Sequence, residues 1–275
     1  MTEIETQNLV DNVNKQLSKL GWIINPFNTT AKQMDELTGI LKHPLEEKIY
    51  RTLNGSVVSF SYRSHYAVRA LQLQSVKDYS HLYENGIFAY FRSDYISCTL
   101  NLLCALEGTL LRFYRHHAGT PKDEPTVKEL LNCFHDEPFQ SRYENVNRWF
   151  EIYNEALHTA LNQWIYVRTK NADLSKSVLN RNYIFHAVGS GNFYRREDVH
   201  RLILYFDNLL EILAIREERY DTFVSDIGKD PLRDKRVNYY MSMKIEFAKL
   251  RLQEEELLKE HANYVSFLPE GFGKK

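Results

Sequence analysis

Apolar residues recur along most of this chain at intervals of three and four, the spacing of one face of an α-helix. Leu9, Val13, Leu17 and Leu20 make the first stripe, and Gly21 is placed to end it. Pro26 breaks the chain, Thr30 is placed to cap a second helix running to Leu41, and Pro44 opens a third. Residues 55–66 (GSVVSFSYRSHY) alternate and are rich in β-branched and aromatic side chains, which admits a short strand or hairpin there. Residues 92–118 predict a long helix with Ile96, Leu100, Leu103, Leu106 and Leu110 on its buried stripe, ended by Gly119-Thr120-Pro121. A short helix over 125–134 follows, then a long one over 142–168 carrying Trp149, Ile152, Tyr153, Leu157, Leu161, Trp164 and Ile165. The stretch 171–194 is turn-rich at both ends. Residues 196–219 predict a helix buried through Val199, Leu202, Ile203, Phe206, Leu209, Leu210 and Leu213, and 235–261 a charged amphipathic helix that packs on the bundle or on a partner.

The reading is all-α: a four-helix bundle core over 89–220, a helical N-terminal extension over 1–88, and a C-terminal amphipathic helix and tail over 221–275. Only 11 glycines and 7 prolines in 275 residues agree, since a β-sandwich or barrel needs more turns. Lys and Arg total 35 against 36 Asp and Glu, so any nucleic-acid contact must be local rather than a matter of bulk charge. Cys98, Cys104 and Cys133 are odd in number, lie in apolar helical surroundings and form no Cys-x-x-Cys pair, so buried reduced thiols are expected. The N-terminus has no apolar leader and no long apolar run is evident, which predicts a cytoplasmic chain with no membrane partner.

Gly-rich phosphate loops, the Gly-x-Ser-x-Gly elbow, His-Glu-x-x-His and paired Glu-x-x-His ligands are all missing from the sequence, so neither metal nor cofactor is expected. What remains is arginine followed five residues later by histidine, which occurs at Arg112/His117, Arg181/His186 and Arg195/His200. The first closes a long helix, where cations suit the macrodipole. The third opens a helix, where Glu197 and Asp198 suit the N-terminus. The middle copy sets Asn180, Arg181, Asn182 and His186 around apolar Tyr183, Ile184 and Phe185, and polar groups beside such an anchor need partners or a cleft. A capping Asn, a surface Arg and a core His would also satisfy these residues.

The stretch LNRNYIFHAVGSGNFYRREDVHRLILYFDNLLEIL resembles the HEPN superfamily of helical nucleotide-binding and ribonuclease domains. About residues 90–220 follow its helix order, and some 35 residues around the motif are specific. Ala187 stands where many members have Gly. Val188 stands where members paired with a nucleotidyltransferase have Tyr, so modification of that Tyr is not implied. The resemblance implies a metal-independent endoribonuclease of the toxin or abortive-infection, anti-phage kind. Arg181, His186 and Asn182 would be its catalytic residues, Asn180, Arg195 and Arg196 would bind RNA, and an antitoxin or partner subunit is possible.

The chemistry suits those residue types. Histidine, with an ordinary pKa of about 6.5, can take or give a proton near neutrality, and the guanidinium fork of arginine matches phosphate oxygens. Five residues along a helix is a rotation of about 500°, leaving Arg181 and His186 about 140° apart rather than on one face. A homodimer that lays two motif helices side by side would gather two Arg and two His, as the resemblance implies, with 171–187 and 196–213 as the expected interface. A non-catalytic RNA- or nucleotide-binding module and a helical interaction protein are the alternatives. The arginines at 181, 195, 196 and 201 offer a local basic face to the first two readings.

Overall fold

The computed structural model describes residues 2–25, 28–167, 179–181, 184, 195–218 and 231–261, and these are all-helical with no strand among them. The helices are α1 (Glu3–Leu17), α2 (Ala31–Ile40), α3 (Glu46–Val58), α4 (Phe60–Gln72), α5 (Ser80–Phe91), α6 (Tyr95–His117), α7 (Val127–Asp136), α8 (Glu144–Ala160), α9 (Arg196–Arg216) and α10 (Pro231–Leu258). A single π-turn, Leu161–Ile165, extends α8.

Local chemistry sets the ends. Thr2, Thr30 and Thr126 each form a capping box with the residue three on, Glu5, Gln33 and Glu129, so two of the otherwise unpaired N–H groups at each start are satisfied. Gly21 has φ +77° at the end of the first helical stretch, and a Cβ there would lie 2.7 Å from the Trp164 ring.

The alternating stretch 55–66 is helix on both sides of Ser59, not a hairpin. Ser59 ends α3 in an extended conformation and its hydroxyl accepts from the Tyr62 N–H, starting α4. Leu53 and Val57 before the break and Tyr66, Ala67 and Ala70 after it are buried at helical spacing, so the tertiary core overrides the β-leaning composition.

Helix α6 buries Leu103, Leu106 and Leu110 as expected, but its first two turns differ. Its buried side runs through Cys98, Leu102, Leu103, Leu106, Leu110 and Phe113, whereas Ile96 is exposed and Leu100 only partly covered. The close approach of α5 fixes this orientation, because a Cβ on Gly86 would lie 2.9 Å from Leu102. Helix α6 is long and apolar enough by length and composition to cross a bilayer, and half of that stretch is buried inside the bundle. Of the three free cysteines only Cys98 is buried, because Cys104 faces outward from α6 and Cys133 is half-covered on α7.

Helix α9 is the axle. Every residue from Asp198 to Ile215 is buried, not the apolar stripe alone, because α3, α4, α6 and α8 pack around it. One hydrophobic core therefore runs from Val10 in α1 to Met243 in α10. Helices α3 and α4, from the first 88 residues, supply two of the walls around α9. The final helix packs across α4 and α5 through Tyr240 and Met243 and leaves Ile245 and Leu257 in solvent.

Candidate functional site

The motif begins where the chain returns to the bundle. Leu179 is buried in the core, and the buried amide of Asn180 donates to the Val167 carbonyl at 2.6 Å. Asn180 thus fastens two stretches of backbone together. The Ile184 N–H donates to the Asn180 carbonyl, which closes one helical turn around Arg181.

Arg181 reaches α6. Its Nε donates to Glu107 Oε1 at 2.7 Å and Nη2 to Oε2 at 3.3 Å, a two-point pair in which the arginine is 30% and the glutamate 23% exposed. The hydrogen bond to Glu107 pushes the Arg181 pKa up, so its charge is fixed. Asn182 and His186 lie outside the described residues.

The other two histidines have plain structural settings. His117 ends α6, stacks on Phe113 and bonds Glu137 at 3.1 Å. His200 is fully buried, with its Nε2 2.8 Å from the Tyr90 hydroxyl and its ring against Tyr50. Burial, then the charges of Arg196 and Arg63, hold its pKa well below the ordinary histidine range, so it stays neutral.

The basic face proposed from arginines 181, 195, 196 and 201 does not form. Arg195 pairs with Asp198 through Nε at 3.0 Å. Arg201 is buried between Asp198 and Glu46, each 2.6 Å away, with its guanidinium over the rings of Trp22 and Trp164. Arg196 alone points elsewhere, into a recess where several helix ends meet. Arg92 caps the end of α5, and Ser93 at φ +61° turns the chain into α6. Tyr90, Tyr95, Arg196 from the start of α9 and Lys244 from α10 complete the lining. Tyr95 and Glu107 lie twelve residues apart on α6, about 18 Å at 1.5 Å per residue, so Arg181 and Arg196 attach to well-separated stretches of one helix.

Sequence reasoning missed the polar core of α9. Asp207 accepts from both terminal nitrogens of Arg63, at 2.7 and 2.5 Å, and both side chains are fully buried. One turn on, Glu211 pairs with Arg69 at 2.6 Å and accepts from the Tyr66 hydroxyl at 2.8 Å. The signal was present: two carboxylates four residues apart inside the apolar run RLILYFDNLLEIL must find cations if the helix is buried. A recess of about 210 Å³ between α1 and α8 carries charges of both signs, and two of them, Lys15 and Asp11, already pair with each other. Among the described residues no group of three or more His, Cys, Asp and Glu is arranged to hold a metal ion.

Comparison with protein-family models, with curated proteins and with solved structures gave no match.

Proposed function

We propose that this chain is a metal-independent endoribonuclease of the HEPN type, acting as a toxin or anti-phage effector. The observation that carries the reading is the two-point docking of Arg181 onto Glu107. It anchors the start of the Arg-x4-His segment on the longest helix among α1 to α9 and keeps the guanidinium charged.

In this reading one His186 takes the proton from a ribose 2′-hydroxyl, and the oxygen attacks the adjacent phosphorus. The His186 of a second copy gives a proton to the departing 5′-oxygen, leaving a 2′,3′-cyclic phosphate and a 5′-hydroxyl. Arg181 balances charge on the phosphoryl oxygens, and Asn182 orients the imidazole or the phosphate. In this reading the two-fold contact does not use α9, whose residues from Asp198 to Ile215 are buried.

Binding without cleavage is the second reading. The charge of Arg181, held beside Glu107, serves phosphate binding whether or not a proton-transfer group acts beside it. The test is incubation of the protein with total RNA in EDTA beside a His186→Ala variant. Cleavage to cyclic-phosphate ends by the wild type alone supports the ribonuclease. Tight binding without cutting supports the second reading, and cleavage that persists in the variant removes the motif from the chemistry.

A further inference from the structure

The recess at the start of α9 gathers three cations in one place. The fully buried guanidinium groups of Arg63, Arg69 and Arg201 each face a carboxylate. In the recess Arg92, Arg196 and Lys244 converge, and none of the three forms an ion pair among the described residues. Among the described residues no carboxylate lines the cavity.

Aromatic rings stiffen the cations in place. Arg92 lies 4.9 Å over the Phe247 ring and Lys244 5.7 Å over Phe60. Tyr90 lines the same recess as Arg196 and its hydroxyl is bonded to His200, so this wall is fixed from the core side. Burial, and then repulsion from Arg196, push the Lys244 pKa down, the mark of cations gathered without a counter-ion. The cavity measures about 120 Å³, below the roughly 300–1,000 Å³ of a drug-sized site, and suits one tetrahedral anion rather than a whole cofactor.

We infer that the Arg92–Arg196–Lys244 recess is a binding site for a phosphate group, with Tyr90 and Tyr95 as its walls. Two arginines supply planar forks for the phosphate oxygens and the lysine a mobile third charge. The site is distinct from the Arg181 segment and does not depend on the ribonuclease reading. Its phosphate comes either from a small phosphorylated metabolite or from the backbone of RNA.

Calorimetric titration of the full chain with inorganic phosphate tests it. Saturable binding is expected, weakened about tenfold by Arg196→Gln and by Lys244→Gln, each removing one charge-assisted contact. Arg181→Ala and His186→Ala should bind phosphate like the wild type, which separates this site from the motif and its failure from failure of the ribonuclease. Lys244 is at the surface, so its variant reports binding without a folding defect. Displacement of phosphate by adenosine monophosphate but not by a single-stranded RNA oligonucleotide assigns the small ligand, and displacement by the oligonucleotide assigns RNA. A wild type that takes up no phosphate, or wild-type affinity in both recess variants, overturns the proposal.

Discussion

Arg63–Asp207 and Arg181–Glu107 are both two-point arginine–carboxylate pairs that tie a remote segment to a long core helix, yet they stand in different dielectrics. The first is fully buried and joins α4 to α9, with Tyr83 donated to by Arg63 and Asn28 donating to Asp207. The second is partly open to water and joins the motif to α6. A sealed pair cannot exchange partners without opening the core, and its removal leaves an uncompensated charge. A half-open pair is screened, individually weak and free to trade its carboxylate for another anion. The same chemistry thus locks the fold in one place and remains negotiable in the other.

The largest effect should come from cutting the sealed pair. Asp207→Ala is expected to lower unfolding free energy by about 3–5 kcal/mol, because Arg63 would stay buried without a counter-charge. Denaturant unfolding of the variant measures it, and a loss under about 1 kcal/mol would erase the distinction drawn between the two pairs.

Next comes the motif that the open pair anchors. His186→Ala should reduce RNA cleavage by about 10²–10⁴-fold, the usual worth of a positioned proton-transfer group. His117→Ala and His200→Gln should retain cleavage in the same assay. Loss with His117→Ala instead would move the chemistry to the end of α6.

A third effect concerns pH. His200 is held neutral by burial and nearby arginines, so its folded pKa lies below the unfolded value. Its penalty is absent above the unfolded pKa of about 6.5 and grows as pH falls below it, because the unfolded chain then binds a proton the folded chain refuses. Between pH 7 and pH 5 this histidine should remove about 2 kcal/mol of stability. His200→Gln, which can still bond Tyr90, should lose that much less over the same interval. Parallel pH dependence in both proteins would show that His200 is not excluded from protonation.

The smallest effect should be Glu107→Gln. Stability is expected to fall by no more than about 1 kcal/mol, as for other half-exposed pairs, when unfolding is followed by circular dichroism. A loss as large as that of Asp207→Ala would mean the motif is locked rather than negotiable.

The helices themselves were legible because their signals are local. Thr30 as a cap, Gly21 as a stop and the 3.6-residue period over 92–118 and 196–219 act within a few residues and predict elements that the structure contains. The Arg-x4-His segment is likewise a property of sequence alone. Which side of each helix faces inward was not local. The rotation of α6 depends on Gly86 of α5 meeting Leu102, and the burial of α9 on every side depends on α3 and α4, far away in the chain. The fate of each arginine was decided the same way. Arg201, Arg195 and Arg196 are near neighbours in sequence, but one is sealed between carboxylates, one pairs with Asp198 at the helix start, and one enters a recess with Arg92 and Lys244. Charge is written in the sequence; its partners are chosen by tertiary packing, because Coulomb energy depends on distances and dielectric that only the folded chain sets.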